Sequence, residues 1–305
     1  MAMIEAKPIL KWAGGKSKLI PVMEERYPLE LKNKNIKRYI EPFIGGGAVF
    51  FNLASKYYFE EIIINDINKE LVLTYKVVKE YPTELMNLLS TYQDKYNMFG
   101  TIEEKQNYFY EIRDLFNKGK GNINYDEISF REIEHAAYMI FLNKSCFNGL
   151  YRENKKGGFN VPFGKKEKLN TFDKENIINA SEVLKNAIIL NGDFEELEKH
   201  IDENTFVYMD PPYRPLNATS NFNDYSKESF NDDSQIRLAE FYKRISDRGA
   251  KLMLSNSDPK NTDENDNFFD DLYKNFNIQR INASRSINSK GTGRGKISEI
   301  LVTNY

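Results

Sequence analysis

The sequence predicts an α/β protein: a Rossmann-like sheet interrupted by a helical insertion that carries a β-hairpin. Three observations predict it. Short apolar runs rich in β-formers alternate with helical patterns towards both ends of the chain. The first run leads into a glycine turn and a helix, and the second ends on an acidic residue, as in a nucleotide-binding βαβ unit. Between them and the later strands lies a series of amphipathic helices, closed by a hairpin with a Gly-Gly turn. The expected division is therefore residues 1–68 and 172–305 as one α/β domain, with residues 69–171 inserted into it.

The bulk numbers leave the function open. The chain has 305 residues, 40% of them apolar, enough for one large domain or two ordinary ones. Its net charge is −2, so the total does not announce an acidic or basic partner. Aromatic residues are abundant, with 19 Tyr and 21 Phe, and serve either as core or as platforms for stacked bases. A single cysteine, Cys146, excludes an internal disulfide and fits a reducing compartment. No apolar run approaches the ~18 residues of a membrane span, and Met1 to Lys18 has no signal-peptide core. A cytoplasmic protein is expected.

In chain order, Lys7 to Ser17 reads as a short extended piece, a Gly14-Gly15 turn and a helix from Ser17. Gly15-Lys16-Ser17 looks like the end of a P-loop, but Leu10 stands where that loop needs its first glycine. Arg38 to Phe43 reads as a strand, Ile44-Gly45-Gly46-Gly47 as a glycine turn and Ala48 to Ala54 as a helix. Glycines there let the backbone approach a ligand, because no Cβ intervenes. Glu61 to Asp66 is the second strand, and Asp66 stands about 20 positions past the glycines, where such folds recognise a ribose hydroxyl. Helical spacing then runs from Asn68 to about Gln93, with a restart at Pro82, and again over Glu103 to Asn117 and Arg131 to Cys146.

The hairpin expected over residues 144–168 carries seven basic side chains against two acidic ones, a local excess of +5. Asn, Arg and aromatic residues interleave its lysines, a mixture suited to phosphates and base edges. Phe172 to Asn186 reads as a helix and Ala187 to Asn191 as a strand. Thr205 to Met209 is a buried strand that ends in Asp210-Pro211-Pro212-Tyr213, a carboxylate, two stiffening prolines and a ring on one corner. A helix over Asp233 to Arg248, a strand over Ala250 to Ser255 and a loop leading into a short helix near Phe268 follow. Ile278 to Ala283 and Ile297 to Thr303 close the chain as an antiparallel pair, joined by a basic loop over residues 285–296. His135 and His200 have no neighbours at metal-ligand spacing, so no metal site is expected. No Ser/His/Asp or Cys/His nucleophile is apparent either.

Lys11-Trp12-Ala13-Gly14-Gly15-Lys16, Glu41-Pro42-Phe43-Ile44-Gly45-Gly46-Gly47, Asn65-Asp66-Ile67-Asn68, Asn148-Gly149-Leu150-Tyr151-Arg152, Phe159-Asn160-Val161-Pro162-Phe163-Gly164 and Asp210-Pro211-Pro212-Tyr213 together carry a family likeness. Over nearly its whole length the chain resembles the Dam-type adenine-N6 DNA methyltransferases, with the cofactor motif first and the catalytic motif last. The likeness is strongest to GATC-modifying members, including those of restriction-modification systems. It implies an S-adenosylmethionine-dependent methyltransferase fold, with residues 69–171 as the target-recognition domain. Trp12, Lys16, Asp66 and Asp210 match the family's S-adenosylmethionine contacts, and Glu41, Phe43, Gly45 and Gly47 lie in the motif beside that cofactor. Asp210 and the Pro211 carbonyl match the acceptors of the adenine amino group. Pro212 completes that corner, and Tyr213 matches the ring stacked on the flipped base. Arg152 matches a guanine-reading arginine, Lys11 a lysine on the outer guanine, and Asn148, Leu150 and Pro162 contacts to the site's base pairs. Phe147 falls where some members have a wedging tyrosine, so it keeps the ring and lacks the hydroxyl. Lys166 replaces an aromatic of some relatives, and Lys165 beside it joins the DNA-contacting set. The implied partner is double-stranded DNA at GATC, met by a monomer, with a restriction endonuclease of the same specificity as functional counterpart.

The residues suit that chemistry. An adenine amine is a poor nucleophile, because its lone pair is delocalised into the ring. A carboxylate and a carbonyl that accept its two N–H bonds favour a pyramidal nitrogen and stabilise the charge forming there. Two other readings stay open on the residues alone. One keeps the fold but methylates cytosine N4 or a non-DNA amide, against which Asp210 and the basic hairpin argue. The other is a non-enzymatic or ATP-driven DNA-binding protein, and Leu10 argues against its ATP version.

Overall fold

The computed structural model describes residues 4–214, 230–283 and 297–305. Seven strands form one sheet: β1 Arg38–Glu41, β2 Glu61–Asp66, β3 Ala187–Asn191, β4 Thr205–Met209, β5 Lys251–Ser257, β6 Asn277–Ala283 and β7 Ile297–Thr303, in the order β3-β2-β1-β4-β5-β7-β6. All neighbours pair in parallel except β7, which runs antiparallel to both β5 and β6. The α/β class and the antiparallel closing pair thus stand as the sequence predicts. The basic loop expected over 285–296 lies outside the described residues.

Both faces of the sheet are covered, which explains why its strands read as continuous apolar runs. Along β4, Phe206 and Tyr208 face one core, and Val207 and Met209 face the other, as the two-residue period of a strand requires. The second core is closed by helix α9 (Asp232–Asp247) and a 3-10 turn over Phe194–His200. The first core is covered by α3 (Ala48–Ala54), α4 (Lys69–Glu80) and α8 (Lys174–Leu184). Beyond them stand α5 (Pro82–Met98), α6 (Ile102–Gly119) and α7 (Phe130–Ser145). α4 touches β2 and β3 on one side and α7 on the other, so it joins the sheet to the outer helices.

Local chemistry sets the helix starts. Asn68 caps α4 through the Leu71 N–H, and Thr101 with Glu104 and Ser129 with Glu132 form capping boxes on α6 and α7. The first helix starts later than the sequence suggests: α1 spans Ile20–Glu24, with proline in its opening turn. Leu19 and Ile20 N–H both donate to the Lys16 carbonyl, at 2.8 and 3.1 Å, so Gly14 to Leu19 is a turn rather than a helix.

The expected hairpin also differs in detail. Its limbs are antiparallel, but among the described residues their backbone pairing is limited to two isolated bridges, Cys146↔Phe163 and Glu153↔Phe159. A 3-10 turn, Phe147–Gly149, interrupts the first limb, with Asn148 at φ +58° and Gly149 at φ +67°. Two left-handed residues in succession cannot continue a ladder. His135 is a core residue, with its ring stacked on Phe116 at 4.4 Å and Nε2 2.7 Å from Glu70 Oε2. Burial pushes the Glu70 carboxyl up, but the His135 bond and the charges of His135 and Lys120 hold it below its ordinary value. Among the described residues, no helix is long and apolar enough to cross a membrane, and no three His, Cys, Asp or Glu are grouped to hold a metal.

Candidate active site

The strand order reverses between β1 and β4, and ligands in open α/β sheets bind outside the carboxyl ends of strands at such a point. Glu41 ends β1, Asp66 ends β2 and Asp210 follows β4 directly. Three carboxyl groups predicted from sequence therefore meet at one edge.

Asp210 is paired with Lys16. Lys16 Nζ lies 2.7 Å from Asp210 Oδ1, donates to the Tyr213 hydroxyl at 2.6 Å and donates to the Gly14 carbonyl at 2.8 Å. An ammonium has three donors, and all three are engaged. The Tyr213 hydroxyl in turn donates to Glu299 Oε2 at 2.7 Å, and the same oxygen lies 3.9 Å from Lys16 Nζ. Ser255 Oγ donates to Asp210 Oδ1 at 3.2 Å and lies 2.8 Å from the Tyr208 hydroxyl. The Asp-Pro-Pro-Tyr corner is held from behind. Gln235, wholly buried, donates to the Pro212 carbonyl at 3.0 Å and accepts from Asn256 at 3.3 Å.

Burial sets the electrostatics. It pushes the Asp210 carboxyl above its ordinary value, against the opposing pull of Lys16 and Ser255. Burial likewise raises Glu299, against Lys16 and Tyr213. Glu41 stands well above its usual range for the same reason; the Tyr39 hydroxyl, donating at 2.5 Å, opposes the shift, and the charges of Asp210 and Asp66 add to it. Asp66 is lifted to about 6 by burial, although the Asn68 and Gly45 N–H groups donate to it at 2.9 and 3.1 Å. Raised carboxyls at the switch point of the sheet, two of them sharing one buried lysine, make this a candidate functional site.

The glycine turn forms the other wall. Gly45 has φ +48°, and a Cβ there would lie 3.0 Å from the Trp12 ring. Gly47 has φ +72°, and its Cβ would lie 2.7 Å from the Tyr75 hydroxyl, which donates to the Gly45 carbonyl at 2.9 Å. Phe43 packs on Phe194 and Phe230 with centroids 5.5 and 5.7 Å away. The glycines thus make room for the Trp12 ring and the Tyr75 hydroxyl, and the turn forms a ledge between that ring and the Asp66 carboxylate, whose Oδ2 accepts the Gly45 N–H. A carboxylate placed there can accept the hydroxyls of a nucleoside. The lysine of the partial P-loop turns its amine to Asp210 instead of into a phosphate cradle.

The expected DNA-contacting residues gather on a second surface. Lys11, Asn148, Pro162 and Lys165 are exposed, as is the Phe147 ring at 54%. Leu150, Arg152 and Lys166 are half-buried. Arg152 Nε donates to Asn160 Oδ1 at 2.8 Å, which braces the guanidinium against the opposite limb. Phe147 N–H donates to the Pro162 carbonyl at 2.9 Å, which ties the turn to the opposite limb. Lys166 turns its amine onto the Lys144 carbonyl. Burial and the charges of Lys11 and Lys166 lower Lys144 to about 8. The two surfaces join where the Trp12 ring stacks on Tyr151, with centroids 5.2 Å apart and planes 18° from parallel. Glu299, Gln235 and Asn143 are functional-site neighbours that sequence reasoning missed.

Residues 12–287 match the model of the D12 class of N6 adenine-specific DNA methyltransferases. The chain belongs to this D12 family. It is 50% identical over 303 residues to a type II methyltransferase, M.MjaIII, of Methanocaldococcus jannaschii, covering 99% of this chain and 100% of that one. It is 39% identical over 304 residues to a type II methyltransferase, M1.LlaDCHI, of Lactococcus lactis subsp. cremoris, covering 99% and 96%. The DNA adenine methylase of Escherichia coli K12 is 31% identical over 300 residues, covering 98% and 96%. The protein is thus an adenine-specific DNA methyltransferase, and S-adenosylmethionine is the methyl donor of its family.

Proposed function

We propose that this D12-family enzyme methylates N6 of the flipped adenine in double-stranded GATC. The observation that carries the reading is the Lys16–Asp210–Tyr213 cluster at the end of β4, beside the glycine turn that leads into α3. S-adenosylmethionine supplies an electrophilic methyl group. Trp12, Glu41, Phe43, Gly45, Gly47 and Asp66 hold it, with Asp66 accepting hydroxyls and the glycines allowing close approach. Asp210 and the Pro211 carbonyl accept the two adenine amino hydrogens, Pro212 stiffens the corner, and Tyr213 stacks on the base. With the base extruded from the duplex, catalysis is alignment plus stabilisation of charge on the nitrogen. Residues 1–68 and 172–305 form the catalytic body, and residues 69–171 the target-recognition part, with α4 shared between them. There, Lys11, Phe147, Asn148, Leu150, Arg152, Pro162, Lys165 and Lys166 meet the DNA. Base-resolved sequencing of DNA from cells expressing the protein tests the reading. Modified adenines confined to GATC support it, and modification of another motif or of cytosine overturns it.

Two further results follow from named residues. Arg152→Ala is expected to lose about 1–3 kcal/mol of discrimination at one base pair. The check is kcat/KM on GATC and on single-base variants, where unchanged ratios would refute the role. Cofactor affinity should fall as the pH drops through the Asp66 value of about 6. A hydroxyl donating to that carboxylate favours its ionised form, so protonation opposes binding by up to about tenfold per pH unit below it. Calorimetry between about pH 7 and about pH 5 reads this, and a flat affinity would remove Asp66 from the cofactor site.

A second reading concerns context. The relatives at 50% and 39% identity are both type II methyltransferases, which favours pairing with a restriction endonuclease of the same specificity; a cytoplasmic, monomeric enzyme is part of the same reading. Resistance of DNA from expressing cells to an endonuclease that cleaves unmodified GATC tests the protective half of that pairing.

A further inference from the structure

Asn143 lies near the end of α7 and is 1% exposed, and its side chain bonds main-chain groups of Lys11 and Gly149. Its carboxamide ties the turn after α7 to Lys11, 132 residues away from Asn143 in sequence. Oδ1 accepts the Lys11 N–H at 2.9 Å. Nδ2 donates to the Lys11 carbonyl at 2.9 Å and to the Gly149 carbonyl at 3.0 Å. One side chain therefore pairs both main-chain groups of Lys11, as a neighbouring strand would, and also clasps the turn that presents Asn148. Its hydrogen-bonding capacity is closely matched to these partners, because an amide offers two donors and a carbonyl.

Two independent contacts support the same joint. The aliphatic stem of Lys11 lies over Gly149, where a Cβ would fall 2.5 Å from Lys11 Cδ. One residue along each segment from Lys11 and Leu150, the rings of Trp12 and Tyr151 are stacked. Lys11 thus rides on the Phe147–Gly149 turn rather than on the glycine turn of the cofactor ledge.

We propose that Asn143 is the positioning residue for target recognition, setting the register between Lys11 and the Asn148 turn so that both read one DNA site. The inference rests on the reading of Lys11 and Asn148 as DNA contacts. Two groups that read one site from separate chain segments tolerate little relative movement, since a shift of about 1 Å can cost about 100-fold in a positioned contact. Asn143→Asp keeps the shape but turns a carboxylate onto the Lys11 and Gly149 carbonyls, which then have no donor. Asn143→Ala removes the clasp without that repulsion.

The test compares Asn143→Asp, Asn143→Ala and Lys11→Ala for kcat, for KM on GATC duplexes, and for the ratio of kcat/KM on GATC over sites altered at the outer base pair. Circular dichroism checks folding, and Asn143→Ala carries the comparison alone if the aspartate variant does not fold. The expected result is a ratio lowered by about tenfold or more in both Asn143 variants and in Lys11→Ala, with the loss in KM and discrimination larger than the loss in kcat. A purely structural asparagine would lower stability and leave the ratio intact. If Lys11→Ala loses discrimination while both Asn143 variants keep it, the positioning role is overturned and the DNA-contact reading stands. If Lys11→Ala itself keeps full discrimination, that reading falls and the positioning role falls with it.

Discussion

Asp210→Ala should reduce methyl transfer by on the order of 1000-fold, the upper end of what one preorganised group contributes. On the proposed mechanism two functions end at once. The carboxylate that accepts an amino hydrogen is gone, and Lys16 Nζ loses its 2.7 Å partner. Lys16 is 3% exposed, so its charge stays buried beside the space the carboxylate leaves. Gly14, Tyr213 and the more distant Glu299 remain to hold it. Asp210→Asn separates charge from shape. It retains an oxygen acceptor but offers no negative charge to an amine becoming positive, so its loss should be large but smaller than that of alanine. Steady-state transfer of methyl groups to a GATC duplex reads both variants. A rate within tenfold of the native enzyme for alanine would remove Asp210 from the chemistry. A rate for asparagine equal to that for alanine would mean that charge, rather than the acceptor, carries the effect.

The sheet and the Asp-Pro-Pro-Tyr corner at the end of β4 were legible because their signals are local. Glu61 to Asp66, Ala187 to Asn191 and the helix over Ala48 to Ala54 have the bounds expected from sequence, since continuous apolar runs and a glycine turn mark them. Asp66 and Asp210 stood out as acids ending such runs. Other departures had a local signal that went unused. Pro21 marks the late start of α1, Asn148-Gly149 is itself a turn dipeptide that breaks the hairpin limb, and Asp193 with Glu196 forms the capping box of an unpredicted 3-10 turn. Asn143, Gln235 and Glu299 had no such signal. Each acts on a partner far along the chain, as Glu299 does on Tyr213 at a separation of 86 residues. A buried polar residue inside a helix or strand is indistinguishable in sequence from one facing water; only the fold brings its partner to it. His135 belongs with them, since its partner Glu70 is 65 residues away.

Lys16→Met should cost more stability than any other single change at the site and should move the pH dependence of whatever activity remains. Lys16 is the cation that two raised carboxyls, Asp210 and Glu299, share. Methionine fills much of the same volume but leaves both facing each other in a buried site. Breaking a buried ion pair by removing one partner costs about 3–5 kcal/mol. The sign with pH distinguishes this from a packing defect. A carboxyl whose folded-state pKa lies above its unfolded value favours folding below the unfolded value and loses that contribution as the pH rises through the folded one. Without Lys16, Asp210 and Glu299 are pushed further up, so the variant is weakest near neutral pH. It should recover as the pH falls towards about 4, where the raised folded-state carboxyls are protonated and their unfolded counterparts about half so. Denaturant titrations of both proteins across that range measure the difference, and a gap that does not change with pH would show that packing alone was lost. The same shift acts on catalysis. The proposed chemistry needs Asp210 ionised, so the acidic limb of kcat moves to higher pH in the variant. An unmoved limb would mean that Lys16 does not set the protonation of the catalytic carboxylate, and the cluster at the end of β4 would then be a cofactor anchor rather than the place where the amine is activated.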